Sequence, residues 1–355
     1  MRKASSKAAY TYRPLTDTNS AIRLLRIVAA RFEEDIIIEL KDMSFEDGDL
    51  SADPYEALSY AWGSLENPGS VFIRHDDQLF SLSVTRNCEE ALRYLRYRHK
   101  ARTVWIDAIC INQQDPREKA QQVSIMRSIY SKASQVIVWL GPASTMSSAA
   151  MTWIATVGNE IFYDETTWSI SALTKDTTRV DAYEVIASTA ELNAFAELID
   201  KPYFDRLWIW QEVRSGGEKV TLKCGHDEVP WEWFTHTVQY WNLRDVPRSF
   251  ERRSERRVSF LLSIVHLHQR DEYFAAINSL RACRCTDQRD RVYATEAFFK
   301  GKSLLGPVDY EKSVQWVYSM HIMKSLGINR NLDFLIHVGD DAFSPGAEQI
   351  GELPS

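Results

Sequence analysis

Apolar residues along the chain recur in two spacings that together predict an alternation of strands and helices. Short, largely apolar runs at Tyr55–Tyr60, Thr103–Asp107 and Gln135–Leu140 are typical of strands buried on both faces. The segments between these runs carry apolar residues at helical spacing, at Cys88, Leu92 and Leu95 and again at Val123, Met126 and Tyr130. This order predicts the α/β class, with a parallel sheet flanked by helices.

Further elements are predicted on either side of this central pattern. Ile22–Val28 and Ile36–Leu40 are expected to be strands, and Val71–Arg74 with Leu79–Leu82 to form a hairpin. A helix is predicted to start near Asp205 as its N-cap and to run to Val213, ended by Gly216-Gly217. Ala143–Asp200 is an insertion between the third strand and this helix, with a lid, an interface or a spacer as its alternative roles. The chain beyond Pro230 is expected to be mostly helical.

Composition and charge narrow the functional classes. Of 355 residues, 45% are hydrophobic and 26% charged, which is typical of a globular protein. The net charge of −7 gives no electrostatic support for binding nucleic acid or an anionic membrane. No signal peptide is recognisable, and no run approaches the roughly 18 apolar residues of a membrane span. We therefore expect a cytoplasmic protein.

The cysteines and glycines do not point to a metal, a disulfide framework or a nucleotide-binding loop. The five cysteines are irregularly spaced, which favours reduced thiols. Cys283-Arg-Cys285 lacks a second ligand pair, so no metal site is predicted. No histidine is spaced as a partner for Cys110, which is expected to be buried. Neither Gly-x-Gly-x-x-Gly nor Gly-x-x-x-x-Gly-Lys occurs.

Three long segments resemble the motifs of fungal heterokaryon incompatibility (HET) domains. They are Tyr55–Gly63 (YEALSYAWG), Val104–Asp115 (VWIDAICINQQD) and Phe204–Val213 (FDRLWIWQEV). Asp287–Ala294 (DQRDRVYA) and Asp309–Ser313 resemble segments that usually follow the domain, so the resemblance covers roughly residues 12–320. Such proteins often continue beyond a Leu-Pro-Ser segment like Leu353–Ser355, so we expect either a short member or a truncated chain.

The resemblance implies a particular fold, because HET domains are thought to be divergent relatives of TIR domains. It implies a TIR-like or flavodoxin-like parallel sheet with family-specific insertions. We expect residues 1–228 to form this domain, with an insertion at 143–200, and residues 229–355 to form a helical extension packed on it. In this scheme Ser59 and Tyr60 end one strand, and Asp107 ends the next and enters a functional loop.

The resemblance also implies an enzymatic activity, the hydrolysis of NAD(P) at the nicotinamide–ribose bond. In enzymatic TIR domains a Trp-x-x-x-Glu helix carries the glutamate, and Trp208–Glu212 has that spacing. Glu212 is the implied catalytic residue; the implied substrate-binding residues are Ser59, Tyr60, Trp62, Gly63, Asp107, Asn112, Gln113 and Trp208. NAD(P) is then a substrate, and no permanently bound cofactor is expected. Self-association and an upstream receptor or allorecognition partner are the implied interactions.

Each of these residues also has a purely structural interpretation. Glu212 can pair with Arg206 or Arg214, and Trp208 can be a core residue. Asp107 can cap the loop that follows it, and Asn112 and Gln113 can organise that loop by turn-forming hydrogen bonds. A non-enzymatic module that recruits cell-death partners is therefore the alternative function, since the fold alone does not choose.

Overall fold

A mixed nine-stranded sheet forms the centre of the protein. The computed structural model describes residues 7–15, 21–44, 54–164, 169–173, 179–181, 188–242, 257–262, 280, 283–296, 306 and 308–329. Its strands are β1 Ala21–Ile27, β2 Ile37–Ser44, β3 Glu56–Tyr60, β4 Gly69–His75, β5 Gln78–Val84, β6 Arg102–Trp105, β7 Gln135–Trp139, β8 Ile161–Asp164, β9 Ser169–Leu173, β10 Arg179–Asp181, β11 Val220–Cys224 and β12 Asp227–Pro230. The large sheet has the order β12-β11-β7-β3-β6-β1-β2-β4-β5, and β8–β10 form a separate small sheet.

Helices lie between and after these strands. They are α1 Arg86–Leu95, α2 Asp107–Cys110, α3 Pro116–Lys132, α4 Thr145–Glu160, α5 Thr189–Ile199, α6 Ile209–Gly216, α7 Trp231–Asn242, α8 Asp290–Glu296 and α9 Val314–Asn329. Two short 3-10 helices, Pro202–Asp205 and Gly217–Lys219, flank α6. The α/β class predicted from the sequence is thus confirmed.

The core of the sheet is parallel, as its apolar strands predicted. β11, β7, β3 and β6 are neighbours and pair in parallel. Counted in chain order, these four strands lie in the order 2-1-3-4. The sheet is not parallel throughout, because β1 joins β6 antiparallel and β12 joins β11 antiparallel. The insertion after β7 contributes α4, the small sheet and α5, which packs on α4.

Helices cover both faces of the parallel core. On one face, α3 packs against α6, and Tyr55, the residue before β3, donates its hydroxyl to the Ile129 carbonyl of α3 at 2.6 Å. On the other face, the Trp139 indole of β7 donates to Asn87 of α1 at 3.0 Å. Trp105 and Trp139 are almost fully buried, as expected for core residues.

Local sequence explains most helix boundaries. Asp115 caps α3 by accepting from the amides of Arg117 and Glu118, and Pro116 occupies the first helical position, where its missing N–H costs nothing. Ser144 and Ser147 form a capping box at the start of α4. Gly217 ends α6 with φ at +56°, a conformation that favours glycine.

The predicted start of the glutamate helix at Asp205 is wrong. Pro202–Asp205 is a 3-10 turn, Arg206 is extended, and α6 begins only at Ile209 after Trp208. The extended stretch exists because its backbone pairs with a distant segment: Leu207 N–H donates to the Arg284 carbonyl at 3.1 Å. The Asp205 carboxylate accepts from Arg257 at 2.6 Å and does not cap a helix.

A buried ion pair anchors β1 to the start of α3. Arg23 donates to Glu118 at 2.8 Å and to the Cys110 carbonyl at 2.7 Å. The same Glu118 carboxylate accepts from the Asn112 amide at 2.7 Å. Both charged side chains are at most 3% exposed. Each charge therefore depends on the other to offset the loss of water.

We predict that Glu118→Gln lowers the free energy of unfolding by about 3–5 kcal/mol, because it leaves the buried Arg23 guanidinium with only the half-exposed Asp42 carboxylate, 3.8 Å away, as a counter-charge. Urea unfolding measures the change. Glu39→Gln is the matched control. Glu39 pairs with Arg26, which lies on β1 like Arg23, but this pair is exposed to solvent. It should cost less than about 1 kcal/mol. Equal losses in the two variants would contradict the importance given to the buried pair.

Candidate functional site

The centre of the candidate site is a contact between the middle strand and α6. Ser59 lies next to last in β3 and is fully buried. Its hydroxyl donates a short hydrogen bond to the Glu212 carboxylate of α6. The Tyr203 hydroxyl lies 2.8 Å from the same Ser59 oxygen. The sequence motif around Ser59 and the Trp-x-x-x-Glu motif therefore meet, although 153 positions separate them.

Glu212 is an almost completely buried acid with only 1% exposure. Burial raises its pKa from 4.5 to about 7, opposed by the nearby Arg206 charge and reinforced by the Asp107 charge. Hydrogen bonds with Ser59 and Tyr130 also oppose the rise and are part of the balance that leaves the pKa near 7. A carboxyl group with this pKa exchanges its proton near neutral pH, which suits acid–base or charge-stabilising chemistry.

Arg206 is the cation of the site. It has an extended backbone and lies three residues before the start of α6. Its guanidinium donates a short hydrogen bond to the Tyr60 carbonyl at the end of β3. Burial lowers the pKa of this guanidinium, but the charges of Glu212 and Asp107 outweigh that effect and raise it. The positive charge is thus stabilised by two carboxyl groups. The structural interpretation of Glu212, in which it balances the charge of Arg206, is compatible with this arrangement.

Asp107 lies two residues beyond the end of the neighbouring strand β6 and is the first residue of the one-turn helix α2. Its carboxylate accepts from the Trp62 indole at 2.8 Å and from the Ala108 amide at 2.7 Å. Burial raises its pKa, and Arg206 and these donors lower it in part. Gln113 donates its side-chain amide to the Asp107 carbonyl at 2.9 Å. Asp107 therefore ties the loops after β3 and β6 together.

Four of the residues predicted to bind substrate make contacts within the protein that also fit a structural role. The Tyr60 ring lies on the opposite face of the sheet from Ser59, beside Cys88 of α1, because successive side chains of a strand alternate. Asn112 accepts from the Gln114 amide at 3.2 Å and organises the loop. Gly63 has a φ of +77°, a conformation that favours glycine, and lies beside the Asn87 side chain. Trp208 donates its indole N–H to Asp290 at 3.1 Å.

Other residues belong to the site but were not proposed from the sequence. Tyr203 and Tyr130 surround the Ser59–Glu212 contact. Tyr203 immediately precedes the Phe204–Val213 motif, so its place next to that motif was a usable signal. Asn87 bridges the Ala61 carbonyl and the Trp139 indole, linking the chain just after β3 to the end of β7. Nothing in its local sequence marks it.

Metal and thiol chemistry receive no support from the described part of the chain. Among those residues no group of three or more His, Cys, Asp and Glu side chains is placed to hold a metal ion. Burial raises the pKa of the Cys88 and Cys110 thiols to about 12, so neither is a thiolate at neutral pH. Within the same residues no helix is long and apolar enough to cross a bilayer.

Comparison with known proteins places the site inside one family signature. Residues 55–212 match the family described as "Heterokaryon incompatibility protein (HET)". Over 252 residues the chain is 34% identical to "Heterokaryon incompatibility protein 6, OR allele" of Neurospora crassa. That alignment covers 64% of this chain and 36% of the relative, so the chain spans only part of that protein's length. No solved structure matches the chain.

We predict that the stability of the wild-type protein falls between about pH 4.5 and 7 relative to that of Glu212→Gln. The folded-state pKa of Glu212 is raised to about 7, so the folded protein holds a proton that the unfolded chain loses above pH 4.5. The unfolding free energy of the wild type minus that of Glu212→Gln should fall by ~3 kcal/mol in total from below pH 4.5 to above pH 7. Urea unfolding across this range measures it.

Glu218→Gln is the matched control for this pH dependence. Glu218 follows the same helix but is exposed, so its substitution should leave the wild-type pH profile unchanged. A pH profile of Glu212→Gln that runs parallel to wild type would show that Glu212 ionises normally in the folded protein.

Proposed function

We propose, from the match of residues 55–212 to the HET family, that the protein acts in the programmed cell death of heterokaryon incompatibility. We further propose that it does so by hydrolysing NAD(P) at the nicotinamide–ribose bond after self-association. The observation that carries the enzymatic part is the Glu212 carboxyl group, buried against Ser59 with a pKa of about 7.

The sheet topology supports a TIR-like site. The parallel strands lie in the order 2-1-3-4, which agrees with the first four strands of a flavodoxin-like sheet. In such sheets ligands bind beyond the carboxyl ends of the strands, where the strand order reverses. Here that point lies between β3 and β7. Ser59, Trp62 and Asp107 lie at or just beyond the carboxyl ends of β3 and β6.

The chemistry requires little more than one well-placed carboxylate. The C1′–N bond breaks, and nicotinamide leaves as a neutral base with the bonding electron pair. The ribosyl group becomes an oxocarbenium-like cation, which the Glu212 carboxylate stabilises. A water molecule then adds to C1′ and releases a proton. The products are nicotinamide, ADP-ribose (or its phosphate) and one proton.

The structure favours some of the proposed substrate contacts over others. Ser59 and Glu212 are in direct contact, and Trp62, Asp107 and Gln113 form one hydrogen-bonded group beside them. Asn112 serves the loop, and the Tyr60 side chain faces α1. We therefore assign substrate contacts to the first group. We assign a supporting role to Asn112 and to the Tyr60 carbonyl.

Burial of Glu212 is the reason for including self-association in the proposal. At 1% exposure, its carboxyl group is out of reach of a dinucleotide in this conformation. Catalysis therefore needs a second conformation in which α6 or the residues over it move. Contact between protomers can supply the free energy that favours such a state.

The same burial favours the alternative function. A fully buried carboxyl group with Ser59 as its donor also satisfies the needs of a structural core residue. In that case the domain recruits cell-death partners without chemistry of its own.

Nicotinamide release from NAD, followed by chromatography, separates the two functions. We predict release by the wild type when the protein is fused to an oligomerising domain, and at least a ~100-fold lower kcat for Glu212→Gln, since a single preorganised electrostatic contact is worth about that much. The exposed Glu218→Gln should retain wild-type activity. No release from the oligomerised wild type would refute the enzymatic proposal. Equal release from Glu212→Gln would refute the role of Glu212.

The pH profile gives a further test of the role of Glu212. Stabilising a cation requires the carboxylate form, so kcat/KM should rise with pH through about 7, the pKa of Glu212 in the free protein. Glu212→Gln should lose this step while keeping any other pH dependence. A profile that is flat between pH 5.5 and 8.5 in the active wild type would contradict ionisation of Glu212 as the controlling event.

A further inference from the structure

We infer that Asp290, which lies outside the segment that matches the HET family, positions the glutamate helix α6 by holding Trp208. Asp290 is the first residue of α8 and is only 7% exposed. Its two carboxylate oxygens accept from different parts of the chain. One accepts from the Trp208 indole at 3.1 Å and the other from the Tyr310 hydroxyl at 2.7 Å.

Trp208 connects this contact directly to Glu212. It is the N-cap residue of α6, and it has no side-chain capping bond of its own. Its carbonyl accepts from the amides of Gln211 and Glu212, at 3.0 and 3.2 Å. Fixing the Trp208 indole therefore fixes the residue on which the first turn of α6 is built. Because α6 is short, movement at its first turn displaces Glu212.

Further contacts from the same C-terminal segment hold the chain around α6. Trp210 donates its indole N–H to the Cys283 sulfur at 3.3 Å, and Leu207 donates its amide to the Arg284 carbonyl at 3.1 Å. α6 is thus bound to β3 on its inner side, through Glu212 and Ser59, and to residues 283–290 on its outer side. Hydrogen bonds between Trp208 or Trp210 and this segment are sequence-distant, with separations of 82 and 73 positions.

The C-terminal segment is itself fixed, so Asp290 is a firm support. Arg289 donates to the carbonyls of Tyr310 and Lys312 at 2.6 and 2.7 Å, and it pairs with Asp287 at 2.6 Å. Tyr293 donates to the Asp309 carbonyl at 2.8 Å. The segment Asp287–Ala294 (DQRDRVYA) thereby supports the site without touching the reacting group. Asp290 is a positioning residue, and its catalytic meaning rests on the proposed function.

Two substitutions that each remove a single donor to Asp290 test this route. Trp208→Phe removes the indole donor and keeps an aromatic ring, and Tyr310→Phe removes only the other donor. Hydrogen–deuterium exchange of residues 209–216, measured on the full chain without nucleotide, reports on α6. We expect about tenfold faster exchange in Trp208→Phe, because a buried hydrogen bond to a charged acceptor is lost. Tyr310→Phe should act mainly on residues 308–318.

Variants of Asp290 and a surface control complete the design. Asp290→Ala should speed exchange in α6 at least as much as Trp208→Phe does, and Asp290→Asn should restore part of the protection because it keeps one acceptor oxygen. Glu311→Gln removes an exposed pair between the same segment and Arg117, and it should leave α6 unchanged. If Asp290→Ala unfolds the protein, Trp208→Phe still gives the decisive comparison.

A second readout separates positioning from general loosening. The titration midpoint of Glu212, obtained by comparing each variant with its Glu212→Gln double variant, should move down towards ordinary carboxyl values in Trp208→Phe, because a displaced Glu212 is better hydrated. An unchanged midpoint and unchanged exchange in Trp208→Phe would overturn the inference, and so would equal effects of Tyr310→Phe on α6. Shifted exchange and midpoint without NAD hydrolysis would support the positioning role and refute only the enzymatic proposal.

Discussion

The hydrogen bond from Ser59 to Glu212 is the contact on which the candidate site depends. It joins the central strand of the sheet to α6 and places a carboxyl group where water does not reach. An ionised carboxylate in such a place needs donors and a nearby cation, and without them it takes up a proton. Ser59, Tyr130 and Arg206 supply both in part, which is why the pKa of Glu212 stops near 7.

Two buried charge clusters fix the segments that follow β3 and β6, next to this contact. Arg206 interacts electrostatically with Glu212 and Asp107 and binds the end of β3 through the Tyr60 carbonyl. Arg23 and Glu118 hold the other end of the same loop region, where Glu118 accepts from the Asn112 amide. The loop from Asp107 to Asp115 is therefore fixed at both ends by charged groups. Such fixation suits a site that requires set geometry.

Local patterns predicted the elements well, and tertiary contacts account for what they missed. The apolar runs of β3, β6 and β7 and the helical spacing of apolar residues in α1 and α3 are short-range signals that the structure follows. The opposite faces of Ser59 and Tyr60 were also readable, since neighbouring residues of a strand alternate. The late start of α6 was not, because it results from backbone pairing of Leu207 with Arg284. The contact of Trp208 with Asp290, 82 positions away, likewise leaves no local trace.

The raised pKa of Glu212 links the resting conformation to the proposed chemistry. While the group is buried beside Asp107, a proton relieves the repulsion between two carboxylates and leaves Arg206 to balance the remaining charge. A ligand that brings its own positive charge, as the nicotinamide ring of NAD does, favours the carboxylate instead. Binding of such a ligand and ionisation of Glu212 therefore stabilise each other, by the reciprocity that governs any two linked equilibria. A neutral ligand of the same shape lacks this coupling, so under the proposed function the buried acid selects for a cationic substrate.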